Sequence, residues 1–171
     1  MERAKLVETG KKAGRTRALN FYRVGREPGS LILVDSPGYG ARGRTTWGTL
    51  WDRYVDNRNE LRAIFVLINT PHGITDYDRA MLADLNERLI ARASSSENPR
   101  GVATHVPVLQ PIFTKIDRLE GDEEMMRRIL REAKKIAPIA ESPILCAIKP
   151  GFEMDIGVSA ARQAICKACA G

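Results

Sequence analysis

Three short stretches of this chain carry side chains that could act on a phosphorylated nucleotide, and each follows an apolar run. The first is Asp35-Ser36-Pro37-Gly38, which opens DSPGYG after the run SLILVD. An acid closing a strand, with glycine three residues on, is the D-x-x-G arrangement. The carboxylate can hold Mg²⁺, usually through water. The glycine N–H can approach a terminal phosphate because no Cβ stands between them. Alone, D-x-x-G is common, and Asp35 capping a turn explains it equally well.

The second stretch is Thr114-Lys115-Ile116-Asp117, after PIF. One carboxylate at Asp117 can accept from both guanine N1–H and the exocyclic amine. Adenine presents no such donor pair, so this side chain would separate GTP from ATP. The Lys115 stem can lie over the base plane. Taken singly, an N-cap by Asp117 beside a solvated Lys115 fits the same residues. The third stretch is Cys146-Ala147-Ile148-Lys149, after PIL. Its small residues resemble a loop whose backbone N–H meets guanine O6.

The elements that must position these stretches can be read from hydrophobic periodicity. Strands are predicted at 19–24, 30–35, 63–69, 107–113 and 143–147, and helices at 48–58, 75–92, 120–137 and 157–168. SLILVD and AIFVLIN are continuous apolar runs, which predicts burial on both faces, as in a parallel sheet. Leu50, Trp51, Tyr54 and Val55 recur on one helical face. Thr75 stands where a helix cap is wanted. Strands alternating with helices predict an α/β fold, a mostly parallel sheet covered by helices on both faces. In such sheets ligands bind at the carboxyl ends of the strands, where all three stretches fall.

The chain has 171 residues, of which 43% are hydrophobic and 28% charged, which suits one domain with a buried core. The longest apolar run is Ala63–Ile68, far short of the roughly 18 residues that suggest a membrane span. Net charge is +6, and residues 1–30 hold eight Lys and Arg against Glu2, Glu8 and Glu27, or +5. Such a segment can steer toward RNA or nucleotide phosphates, or simply be solvated. Three cysteines are too few for a disulfide scaffold. Cys166-x-x-Cys169 has no second pair or nearby ligand histidine, so a metal or redox role is not expected.

The three stretches stand in one order, each after an apolar strand, and together they point to a guanine-nucleotide fold. An unrelated flavodoxin-like α/β protein would instead use them as turns. AGRTRALNFY (13–22), LVDSPGYG (33–40), Trp47, YVDNRNELR (54–62) and FTKIDRL (113–119) resemble the EngB (YihA) family of ribosome-biogenesis GTPases. The resemblance spans nearly the whole chain as an EngB-type, P-loop-NTPase-like G domain over 1–171, with a loop insertion at 93–106.

The resemblance implies that Thr16 is a switch residue meeting Mg²⁺ and the γ-phosphate, with Asp35 as its metal partner and Gly38 as the second switch glycine. It implies GTP or GDP contacts from Gly14, Arg15, Thr16, Asp35, Ser36, Pro37, Gly38, Thr114, Lys115, Asp117, Cys146 and Ala147. Tyr39 stands where small GTPases place a water-orienting Gln, so hydrolysis is expected to need a partner. The implied partner is the pre-ribosomal large subunit or its rRNA, for a monomer without a membrane span. The implied setting is a mitochondrion, with cytoplasm or chloroplast as alternatives.

Ala13, Arg17 and Asn69 depart from the family's Pro, Gln and Asp. No G-x-x-x-x-G-K-[ST] occurs. Gly10-Lys11-Lys12-Ala13-Gly14-Arg15-Thr16 has three residues between its glycines, Arg for Lys, and leads into a strand, so it is not a phosphate loop. The expectation is therefore a G domain lacking its first strand, P-loop and most of its first helix. The rival reading is a non-catalytic ribosome- or RNA-binding module that keeps the fold without nucleotide turnover.

Overall fold

The computed structural model describes residues 19–26, 30–36, 44–94, 105–119, 121–147 and 156–169, with the backbone alone for 44–50. They belong to two compact units, residues 1–53 and 54–171.

In the first unit, β1 (Asn20–Val24) pairs antiparallel with β2 (Leu31–Asp35), Asn20 opposite Asp35 and Val24 opposite Leu31. Both strands fall within a residue of their predicted limits. The expected burial of SLILVD on both faces does not hold, because Ile32 is 51% exposed and Leu33 38%. A two-stranded ribbon supplies no sheet layer of its own to cover both faces. Helix α1 (Arg44–Asn57) begins four residues before the predicted Gly48. Thr45 and Thr46 are weak helix formers, and no cap residue marked the earlier start.

The second unit is built on three parallel strands in the order β3 (Ala63–Asn69), β4 (Val108–Thr114), β5 (Ile144–Cys146). The register pairs Ile64, Val66 and Ile68 with Leu109, Pro111 and Phe113, so these six side chains share one face. All six are buried on that face. Leu109 to Phe113 are buried without interruption, as expected of a central strand covered on both sides. On β3 the opposite face is partly open, and Leu67 is 66% exposed. This is a parallel α/β arrangement.

Two helices complete the main core. Helix α2 (Asp76–Ser94) contributes Leu82, Leu85 and Leu89, and α3 (Glu123–Ile136) contributes Ile129 and Ala133, all buried. Thr75 and Asp78 form a reciprocal cap on α2. Asp78 accepts from the Thr75 N–H at 3.0 Å, and the Thr75 hydroxyl accepts from the Asp78 N–H at 3.3 Å. α3 starts at Glu123 rather than 120, because Gly121 turns at φ +86 and Asp122 caps the helix by accepting the Met125 N–H at 2.8 Å. Arg79 of α2 pairs with Glu132 of α3. Arg92 donates to the carbonyls of Val55 and Arg58 at 3.0 and 3.2 Å, satisfying backbone oxygens near the end of α1. Among the described residues no helix is long and apolar enough to cross a membrane.

Helix α4 (Val158–Cys169) lies against β5, entered through Gly157 at φ +75. A Cβ there would stand 1.9 Å from the Leu145 carbonyl oxygen, so only glycine fits.

His105 leads into β4 with its Nε2 buried and unpartnered. Burial first, then the charge of Arg62, holds its pKa below the ordinary 6.5, against a hydrogen bond to the Arg62 backbone; Arg92 lowers it further. The folded chain thus favours the neutral ring. The stability this contributes is present above pH 6.5 and is lost as pH falls through the depressed folded value. His105→Gln should flatten that acid-side loss, seen as a smaller drop in urea midpoint between about pH 7 and pH 5.

Candidate functional site

The site grows out of the carboxyl ends of the parallel strands. The register sets Asn69, Thr114 and Cys146 side by side as the last residues of β3, β4 and β5. The Thr114 hydroxyl donates to the Ile68 carbonyl at 3.0 Å, tying the end of β4 to β3 just before the chain turns away.

Lys115 follows at φ +59. Among the described residues it is the one non-glycine in the left-handed region. For an L side chain this costs on the order of 1 kcal/mol or more, and such strain is kept where the surroundings demand it, often at binding sites. The turn throws Lys115 to the surface and starts a short 3₁₀ turn over Ile116–Leu119, closed by the Arg118 N–H donating to the Lys115 carbonyl at 3.0 Å. Asp117 sits half-buried on that turn. A second 3₁₀ turn, Thr70–His72, packs against it. Lys115→Gly should relieve the strain and hold or raise the unfolding free energy, by up to about 1 kcal/mol. A loss of more than 1 kcal/mol in urea denaturation would show that the side chain serves the fold instead.

Beside this loop two polar atoms are buried without partners, Asn69 Oδ1 and Thr70 Oγ1, and Thr70 is 0% exposed. An unpaired buried polar atom costs about 1–3 kcal/mol. Sequence reasoning noted Asn69 only as a departure, and it missed Thr70 and the left-handed Lys115. Polar residues ending an apolar strand were the available signal.

The third predicted loop opens on a pair of backbone hydrogen bonds. The Ala147 N–H donates to the Ile156 carbonyl and its carbonyl accepts the Ile156 N–H, both at 3.0 Å. Ile148 and Lys149 lie outside the described residues. Burial raises the Cys146 thiol pKa, so this cysteine stays neutral and packs as an apolar residue.

Thr114, Lys115, Asp117, Cys146 and Ala147 are thus gathered at one end of one sheet. Asp35 and Ser36 belong to the first unit, where Asp35 closes β2 with its side chain exposed. Gly14, Arg15, Thr16, Pro37 and Gly38 lie outside the described residues, as do Tyr39 and most of the 93–106 loop. Among the described residues no group of three His, Cys, Asp or Glu could hold a metal. A nucleotide-bound Mg²⁺ does not need one, since it is held through one or two protein oxygens plus phosphates and water. The exposed Asp35 carboxylate at the end of β2 is a hard oxygen donor of the kind such an ion takes.

The parallel α/β sheet thus sets a left-handed lysine and an acid at the carboxyl end of its central strand, where such folds bind ligands. Residues 2–96 match the family described as 50S ribosome-binding GTPase. Three similar proteins carry the name "Probable GTP-binding protein EngB". That of Rhodospirillum rubrum is 28% identical over 163 residues, covering 90% of this chain and 63% of the relative. That of Latilactobacillus sakei is 32% identical, covering 81% and 63%. That of Desulfotalea psychrophila is 30% identical, covering 72% and 56%. The chain belongs to the 50S ribosome-binding GTPase family, is similar to the proteins named EngB, and spans less than two thirds of the length of these relatives.

Proposed function

We propose that the protein binds guanine nucleotides as an EngB-type GTPase switch acting in assembly of the large ribosomal subunit. The observation that carries this is the Thr114–Asp117 turn. Its left-handed Lys115 and half-buried Asp117 stand at the carboxyl end of the central strand, where a purine edge can meet a carboxylate. Asp117 reads the base by accepting two hydrogen bonds. The Lys115 stem covers the base, and Thr114 acts from behind by fixing the strand end.

Asp35 and Thr16 are the residues that would hold Mg²⁺, and the ion, when bound, neutralises developing charge on the phosphates. Tyr39 lacks the amide of a water-orienting Gln, so this chain's own residues position more than they activate. Hydrolysis is then expected to depend on the ribosomal partner.

The test is competition against a fluorescent GDP. Unlabelled GTP and GDP should displace it, and ATP should fail at the same concentrations. Equal displacement by ATP sinks the base-recognition reading. RNA binding without any guanine-nucleotide binding would favour the rival, a ribosome-binding module without turnover.

A further inference from the structure

We propose that the outer face of α3 is the surface that takes the phosphate backbone of an RNA. Five exposed cations, Arg127, Arg128, Arg131, Lys134 and Lys135, stand on this helix. At 3.6 residues per turn they fall within an arc of roughly 120° and a length of about 12 Å. The opposite side is the core side, with Ile129 and Ala133 buried. The helix is therefore split between a packed face and a cationic one.

The acids of α3 do not neutralise this stripe. Glu123 pairs with Arg127 at 2.6 Å in the first turns, and Glu132 pairs with Arg79 of α2. Glu124 stands at the N-terminal end of the face. Among the described residues Arg128, Arg131 and Lys135 have no carboxylate partner, and Arg131 donates to the Arg127 carbonyl at 3.3 Å. Lys134 donates to the Pro138 carbonyl at 2.8 Å.

The helix dipole accounts for Lys134 and Lys135, which lie in the last turn, but not for Arg127, Arg128 and Arg131 before it. A row of guanidinium and ammonium groups suits a linear polyanion, because each phosphate neutralised releases counterions. A membrane surface fits poorly. A helix that lies on a bilayer needs a free apolar face, and that of α3 is already in the core. That the polyanion is RNA rests on the ribosomal reading above.

The experiment uses the whole chain and a fluorescein-labelled RNA hairpin, followed by anisotropy between 50 and 200 mM salt. The double variant Arg128→Gln with Arg131→Gln removes two charges from the face. Arg162→Gln with Lys167→Gln on α4 removes two exposed charges elsewhere. The α3 pair should lower the steepness of log affinity against log salt by about 1.5 and weaken binding roughly tenfold at 150 mM, with the α4 pair much less affected. Lys135→Gln alone should give about half that change in slope, which keeps the test valid if the double variant loses helicity by circular dichroism. Equal slopes for both doubles would overturn the proposal. So would equal affinity for a DNA duplex of the same length, which would mean a general polyanion surface. Fluorescent GDP binding is measured on the same samples. Absent GDP binding with the slope difference intact would remove the nucleotide reading and leave the α3 surface standing.

Discussion

Asp117→Asn is expected to turn base preference from guanine toward xanthine. In the proposed reading the carboxylate accepts from two guanine donors. The amide offers one acceptor and one donor, and faces a guanine N–H with an N–H of its own. Hydrogen bonds to a charged group are worth about 1.5–3 kcal/mol, and mismatched buried polar groups add to the loss. The ratio of GDP to xanthosine diphosphate affinity should therefore shift by about two to three orders of magnitude, read by competition against fluorescent GDP. Thr114→Ser should leave the ratio unchanged, since a hydroxyl still reaches the Ile68 carbonyl. An unaltered ratio in Asp117→Asn would mean that Asp117 only caps the turn Ile116–Leu119.

Much of this arrangement was legible because the signals were periodic or chemically narrow. Apolar runs placed β3 and β4 to within a residue, although only β4 is covered on both faces. Thr75 announced the start of α2 because few residues satisfy the free N–H groups of a first helical turn. The T-K-x-D loop fell at the carboxyl end of the central strand, where ligands of parallel sheets bind.

What escaped was geometry that no residue type announces. Lysine rarely adopts a positive φ, so nothing in T-K-I-D spelled out the left-handed turn. The burial of Thr70 arises from packing of two 3₁₀ turns distant in sequence. SLILVD looked as apolar as AIFVLIN, yet it pairs only with β1 among the described strands and leaves Ile32 and Leu33 exposed. A run of apolar residues reports a tendency to be covered, and what covers it comes from the rest of the fold.

Phe113→Ala should be the most damaging single change in the second unit. Phe113 is 0% exposed on the central strand, set between Ile68 of β3 and Leu145 of β5. It shares its face with Leu109 and Pro111 and belongs to the same fully buried set as Leu82, Leu85, Leu89 and Ile129. Removing the ring loses its transfer free energy and leaves a cavity that backbone on both sides cannot close, at a cost of about 3–5 kcal/mol. Folded domains hold only about 5–15 kcal/mol in all. The expected result is a large drop in urea midpoint with little change in slope, or no cooperative transition at all. Phe113→Leu keeps most of the volume and should cost under about 2 kcal/mol. The proposed nucleotide site should suffer with the core, because Thr114 is the next residue and its bond to the Ile68 carbonyl depends on β4 staying in register. Weaker GDP binding in Phe113→Leu, in proportion to its lost stability, would join the core to the Lys115–Asp117 turn. Full stability in Phe113→Ala would show that the ring is not what holds β4 between its neighbours.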